Sequence, residues 1–150
     1  MTVRRLAALG FLFASPCMAR NCRWMNSATA SDLLGGSARV AVTGSACSFT
    51  WKRGNLWKSI RIEVQPLPPK GIKPYLRRCA GAAAPVTGLG NEAFACRVKA
   101  KRGIVVERIA GRVRNRTFVV EASANERHTH ADRLFDIAKQ AAAQVAGNLF

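Results

Sequence analysis

The chain has 150 residues, with 24 lysines and arginines against 8 aspartates and glutamates, and a formal net charge of +16. Hydrophobic residues make up 49% of it, which excludes a disordered chain and suits one domain with a real core. A charge of this size and sign favours anionic partners and says nothing about fold.

Residues 1–19 have the three parts of a secretory signal: basic Arg4 and Arg5, an apolar run from Leu6 to Ala14, and small residues at Cys17 and Ala19. The apolar run is too short to span a bilayer as a helix, so the expected cut falls after Ala19. The expected product is 20–150, exported to the periplasm or secreted, with no transmembrane segment. Cleavage removes two arginines and no acid, leaving +14.

Ser27 or Thr29 is expected to cap a short helix from Ala30 to Leu34, ended by Gly35-Gly36. The period then changes from helical to alternating. Val40 and Val42 share a face, as do Cys47, Phe49 and Trp51, and then Ile60, Ile62 and Val64 alternate with Ser59, Arg61 and Glu63. These are half-buried antiparallel strands. A proline-rich loop, Pro66 to Pro74, leads to a short helix at Pro74 to Cys79, and Gly81 to Gly90 is small and irregular.

Strands are expected at Glu92 to Ala100, Ile104 to Val113 and Thr117 to Ala124, joined as a meander, with Phe94, Cys96 and Val98 on the core face of the first. From about Ala131 the helical period returns. Leu134, Ala138, Ala141, Val145 and Leu149 form a stripe widened by Phe135, Ile137 and Ala142. The expected fold class is α+β: an antiparallel sheet of five to six strands with a short N-terminal helix and a long C-terminal helix on one face.

Cys17 leaves with the signal, so Cys22, Cys47, Cys79 and Cys96 remain in an oxidising compartment. The favoured pairing is Cys22 with Cys47 and Cys79 with Cys96; the rival joins Cys47 to Cys96, both on strands. Zinc and thioredoxin-like redox chemistry both want a Cys-x-x-Cys pair, which the chain lacks.

No metal or other cofactor is expected. His128 and His130 are two potential ligands without a third strong one, so they make at best a weak metal site. No serine sits in a Gly-x-Ser-x-Gly elbow, and Glu63, Glu92, Glu107 and Glu121 fall on different strands near basic partners rather than as a catalytic pair. Gly88-Leu89-Gly90-Asn91-Glu92-Ala93 holds a fragment of a dinucleotide fingerprint, but it leads into a strand instead of a helix. Asn115-Arg116-Thr117 is a sequon, relevant only in a host that glycosylates.

Cations fall in four clusters: Lys52/Arg53/Lys58/Arg61, Lys70/Lys73/Arg77/Arg78, Arg97/Lys99/Lys101/Arg102 and Arg108/Arg112/Arg114/Arg116. The anion-binding candidates among them are Arg108, Arg112, Arg114, Arg116, Lys52 and Arg53. Nucleic acid is not the expected partner, because export removes the chain from it and Trp51 shares the core face instead of an exposed basic one.

The chain resembles a bacterial domain-of-unknown-function family of small exported proteins and lipoproteins. The resemblance rests on Asp32-Leu33-Leu34-Gly35, Cys47-Ser48-Phe49, the Gly88 to Ala93 segment, Gly111-Arg112-Val113 with Phe118-Val119-Val120, and the closing Val145 to Phe150. It implies an α+β domain outside the cytoplasm and supplies no activity. The lipoproteins' lipobox is missing, since Pro16 precedes Cys17.

The expected function is therefore non-enzymatic binding of an anionic envelope component, such as lipid head groups or acidic glycan, through a basic surface. The alternatives are an accessory subunit that docks on an envelope protein and, last, a weak hydrolase.

Overall fold

The computed structural model describes residues 21–125 and 130–150. The expected export signal at 1–19 and His128 lie outside them.

Helix α1, Ser27–Leu34, is capped by Asn26 instead of the expected Ser27 or Thr29: the Asn26 side chain accepts a hydrogen bond from the Thr29 N–H at 2.8 Å. It ends where Gly35 takes a left-handed conformation, φ 81°, and returns its N–H to the last turn. Seven strands follow: β1 Arg39–Thr43, β2 Ala46–Arg53, β3 Leu56–Pro66, β4 Ala84–Pro85, β5 Glu92–Arg97, β6 Ile104–Val113 and β7 Arg116–Asn125. Helix α2, Ala131–Gly147, closes the chain.

The strands form one antiparallel sheet in the order β1-β2-β3-β7-β6-β5-β4. The α+β class and the β5-β6-β7 meander match expectation, while the count of seven exceeds the expected five to six. The additional strand, β4, is two residues at the edge within the segment read as irregular; so short a strand leaves no alternation to detect.

Both helices pack on the same sheet face, α1 over β2 and β3 and α2 over β6 and β7. Phe49, Ile60, Ile62, Phe118, Val120 and Ile109 from that face bury against Leu34, Leu134, Ala138, Ala141 and Val145. Within the sheet Gly111 makes room for a core ring: a Cβ there would run into Phe118 across the strand pair. The Cys22–Cys47 disulfide joins the N-terminal segment to β2 at a Cα separation of 5.7 Å, within ordinary disulfide geometry. The Asn148 side chain donates to the Trp24 carbonyl at 2.8 Å, so the same segment is also held from α2.

The opposite sheet face is half covered. The segment 67–83, with a short 3-10 turn at Lys73–Leu76, folds over β5, β6 and β7. Ile72 is buried there, and the Cys79–Cys96 disulfide pins the segment, again at ordinary Cα separation, 5.6 Å. Backbone hydrogen bonds from Ala80 to Arg97 and from Lys99 to Arg78 extend the attachment.

This arrangement corrects one expectation. Cys96 points to the face opposite Cys47: Cys47, Ile62, Val120, Ile109 and Ala95 lie in one cross-strand row on the helix side, while Cys96 is one residue out of phase with Ala95. The sheet therefore separates the sulfurs of the rival Cys47–Cys96 pair. Strand β5 is buried on both faces, with Ala93 and Ala95 under the helix layer and Cys96 under the covering segment.

Candidate anion-binding face

Over β1, β2 and β3 no helix of the described residues lies on the second sheet face, and pairing register decides which side chains occupy it. Arg39, Thr50, Ser59 and Ser123 form one cross-strand row; Ser48, Arg61, Glu121 and Arg108 form the next. On the side towards the β2–β3 turn, Lys52 stands opposite Trp57. Arg39, Thr50, Lys52 and Arg61 are exposed, and Ser48, Trp57, Ser59 and Ser123 are half-buried. Ser59 and Ser123 share a hydrogen bond at 2.7 Å.

The acids of the sheet are already engaged. Glu63 pairs with Arg61 at 3.5 Å, Glu107 with Arg97 at 2.9 Å, Glu92 with Arg112 at 3.2 Å, and Glu121 with Arg108. The remaining described acids, Asp32, Asp132 and Asp136, are on the two helices, which carry Arg133 and Lys139 as their only cations. Charge is thus segregated: the helix layer is close to neutral, and the excess of positive charge belongs to the sheet and its loops.

A hollow of about 510 Å³ lies between Ser37, Arg39, Thr50, Lys52 and Gly54. It combines two cations with two hydroxyls, and among the described residues no carboxylate lines it. Among the described residues, neither Arg39 nor Lys52 makes an ion pair or a side-chain hydrogen bond. Guanidinium and ammonium groups supply charged donors, and hydroxyls donate or accept, so the hollow matches an oxyanion with neutral polar substituents.

The anion-binding candidates named from sequence separate on the structure. Lys52 belongs to the hollow's rim, and Arg53, next along β2, is exposed on the other side of the strand. Arg114 and Arg116 are exposed at the β6–β7 turn, at the other end of the sheet from the β2–β3 turn. Arg112 is tied to Glu92.

Arg108 is a correction. It is 7% exposed, with Nε 2.8 Å from the Glu121 carboxylate and Nη1 donating to the Tyr75 carbonyl at 2.6 Å. Its neighbours on β6 alternate, which puts it under the covering segment, so its charge serves the fold. Arg39 was missed because it stands alone in the sequence; only its pairing opposite Thr50 brings it beside Lys52.

Other features singled out from sequence have structural roles. Lys58 lies on the helix side, 5.5 Å from the Trp51 ring centre and 3.4 Å from the Leu34 carbonyl that ends α1. Gly88 and Gly90 both have positive φ, Leu89 between them is buried, and Asn91 accepts from the Arg114 N–H at 2.6 Å. The Gly-Leu-Gly-Asn-Glu-Ala segment is therefore the turn that ties β5 to the β6–β7 hairpin. His130 precedes α2, exposed, without a side-chain capping bond.

No protein-family model matches the chain, and no curated protein matches it. The functional reading therefore rests on the site's own geometry. Two disulfides fit an oxidising environment, and no helix of the described residues is long and apolar enough to cross a membrane.

Proposed function

We propose that this protein is an exported, disulfide-stapled domain that acts by binding an anionic component of the cell envelope, without catalysing a reaction. The observation that carries the reading is the hollow of Arg39, Lys52, Ser37 and Thr50, which no carboxylate among the described residues lines, on a sheet face that no described helix covers. Elsewhere on the sheet each described glutamate neutralises an arginine, and here the two cations are left for a ligand. The positive field around them speeds encounter with anions, and the flat face admits a large one.

Retention on a heparin matrix, against an uncharged matrix of the same polymer, tests this. The double variant Arg39→Ser/Lys52→Ser should elute at clearly lower salt than the parent. Arg114→Ser/Arg116→Ser removes the same charge from the far turn and should shift elution less. Equal shifts would mean that net charge alone governs binding, and the site would be rejected.

A further inference from the structure

Three hollows with a net positive lining lie on the open face and on the covering segment. The first is the Arg39/Lys52 hollow. Thr50 of that hollow faces Ser59, and two residues along β3 stands Arg61, which shares a second hollow of about 140 Å³ with Glu63, Arg78, Arg108, Val119 and Glu121. The two carboxylates pair with Arg61 and Arg108, so the net positive charge there is that of Arg78. Arg77, the neighbour of Arg78 on the covering segment, lines a third hollow of about 370 Å³ with Lys70, Lys73 and two prolines. The folding of 67–83 onto the sheet thus brings Arg78 of one sequence cluster to the same hollow as Arg61 of another.

We propose that this track binds an extended acidic glycan, a chain of uronic or sulfated sugars, along β1, β2, β3 and the covering segment; this rests on the reading that the face binds anions. From β1 to β7 the track crosses three interstrand steps of about 4.8 Å, or about 14 Å, before it reaches the third hollow. A single phosphate or carboxylate fills one hollow and leaves the others vacant, so only a ligand with several spaced charges uses the whole track.

The surface between the cations is lined by Ser48, Thr50, Ser59 and Ser123. Hydroxyls of this kind match the neutral hydroxyl groups that separate charges on a sugar chain. A single-stranded nucleic acid wants successive aromatic platforms, and Trp57 is the one aromatic that β1, β2 and β3 present on this face. A bilayer favours an apolar wedge beside the cations; among the described residues the large exposed apolar side chain is Phe150, at the chain's far end.

Calorimetric titration of the folded, oxidised protein with size-graded heparin and polygalacturonate fragments tests the track. Affinity is expected to rise with fragment length and then level off once the third hollow is reached. Arg39→Ser/Lys52→Ser should weaken long fragments about tenfold, as the loss of two charged contacts does. Lys73→Ser/Arg77→Ser should weaken long fragments and leave the shortest unchanged, and Arg133→Ser/Lys139→Ser on α2 should change neither. Inorganic phosphate, a single-stranded oligonucleotide and phosphatidylglycerol vesicles serve as competing ligands. Length-independent affinity, or tighter binding of the oligonucleotide or vesicles, would overturn the glycan track while leaving anion binding in place. Failure of every anion to bind would overturn both.

Discussion

Removing Glu121 should expose how much the fold depends on keeping Arg108 paired. The Arg108 side chain is 8% exposed and that of Glu121 21%, so the guanidinium is nearly dry and the carboxylate partly wetted. Glu121→Ala leaves a buried cation with the Tyr75 carbonyl as its remaining partner. Breaking a buried pair from one side costs roughly 3–5 kcal/mol, and the partial exposure of Glu121 sets the expectation at about 3 kcal/mol. Glu63→Ala is the comparison: its pair with Arg61 is 50% and 31% exposed, and its loss should cost less than about 1 kcal/mol. Urea unfolding with the disulfides intact measures both. Replacing the whole pair, Arg108→Met with Glu121→Leu, should recover most of the loss, because no charge is then stranded. A cost for Glu121→Ala as small as that for Glu63→Ala would show that water reaches Arg108 and would refute the buried-pair reasoning.

Other perturbations have equally definite outcomes. Gly111→Ala places a methyl group in the space of the fully buried Phe118 ring and 3.0 Å from the Glu92 carbonyl, and should cost about 1–3 kcal/mol in urea unfolding. Cys22→Ser/Cys47→Ser opens a loop of 25 residues and should lower stability by about 3.5 kcal/mol. Cys79→Ser/Cys96→Ser opens one of 17 and should cost about 3 kcal/mol; hydrogen exchange should rise chiefly in 67–83, which that disulfide pins to the sheet. Uniform exchange across the whole sheet in the second variant would argue against a separable covering segment.

The sequence made the elements legible where one face of each is wet. Alternation in β2 and β3 and the helical stripe of α2 show in the residue pattern because core and solvent sides differ in polarity. The same rule misplaced Cys96, because β5 is buried on both sides and alternation cannot say which apolar side meets the helices. The covering segment was legible only as a proline-rich loop; its seat on β5, β6 and β7 depends on Ile72, Tyr75 and Cys79 finding partners distant in sequence.

The site was less legible still. Lys52, Arg53, Lys58 and Arg61 form one cluster in the sequence, yet Lys52 and Arg61 face the open side while Lys58 turns to Trp51. Isolated Arg39 joins them only through strand pairing. A local run of cations reports charge; register decides which of them meet.

The most direct measurement is a map of backbone amide chemical shifts during titration with a long heparin fragment. Binding through the open face predicts shifts at Arg39, Ser48, Thr50, Lys52, Ser59 and Arg61, continuing into Arg77 and Arg78. Shifts concentrated on α2 or on Arg114 and Arg116, with β1, β2 and β3 silent, would contradict it.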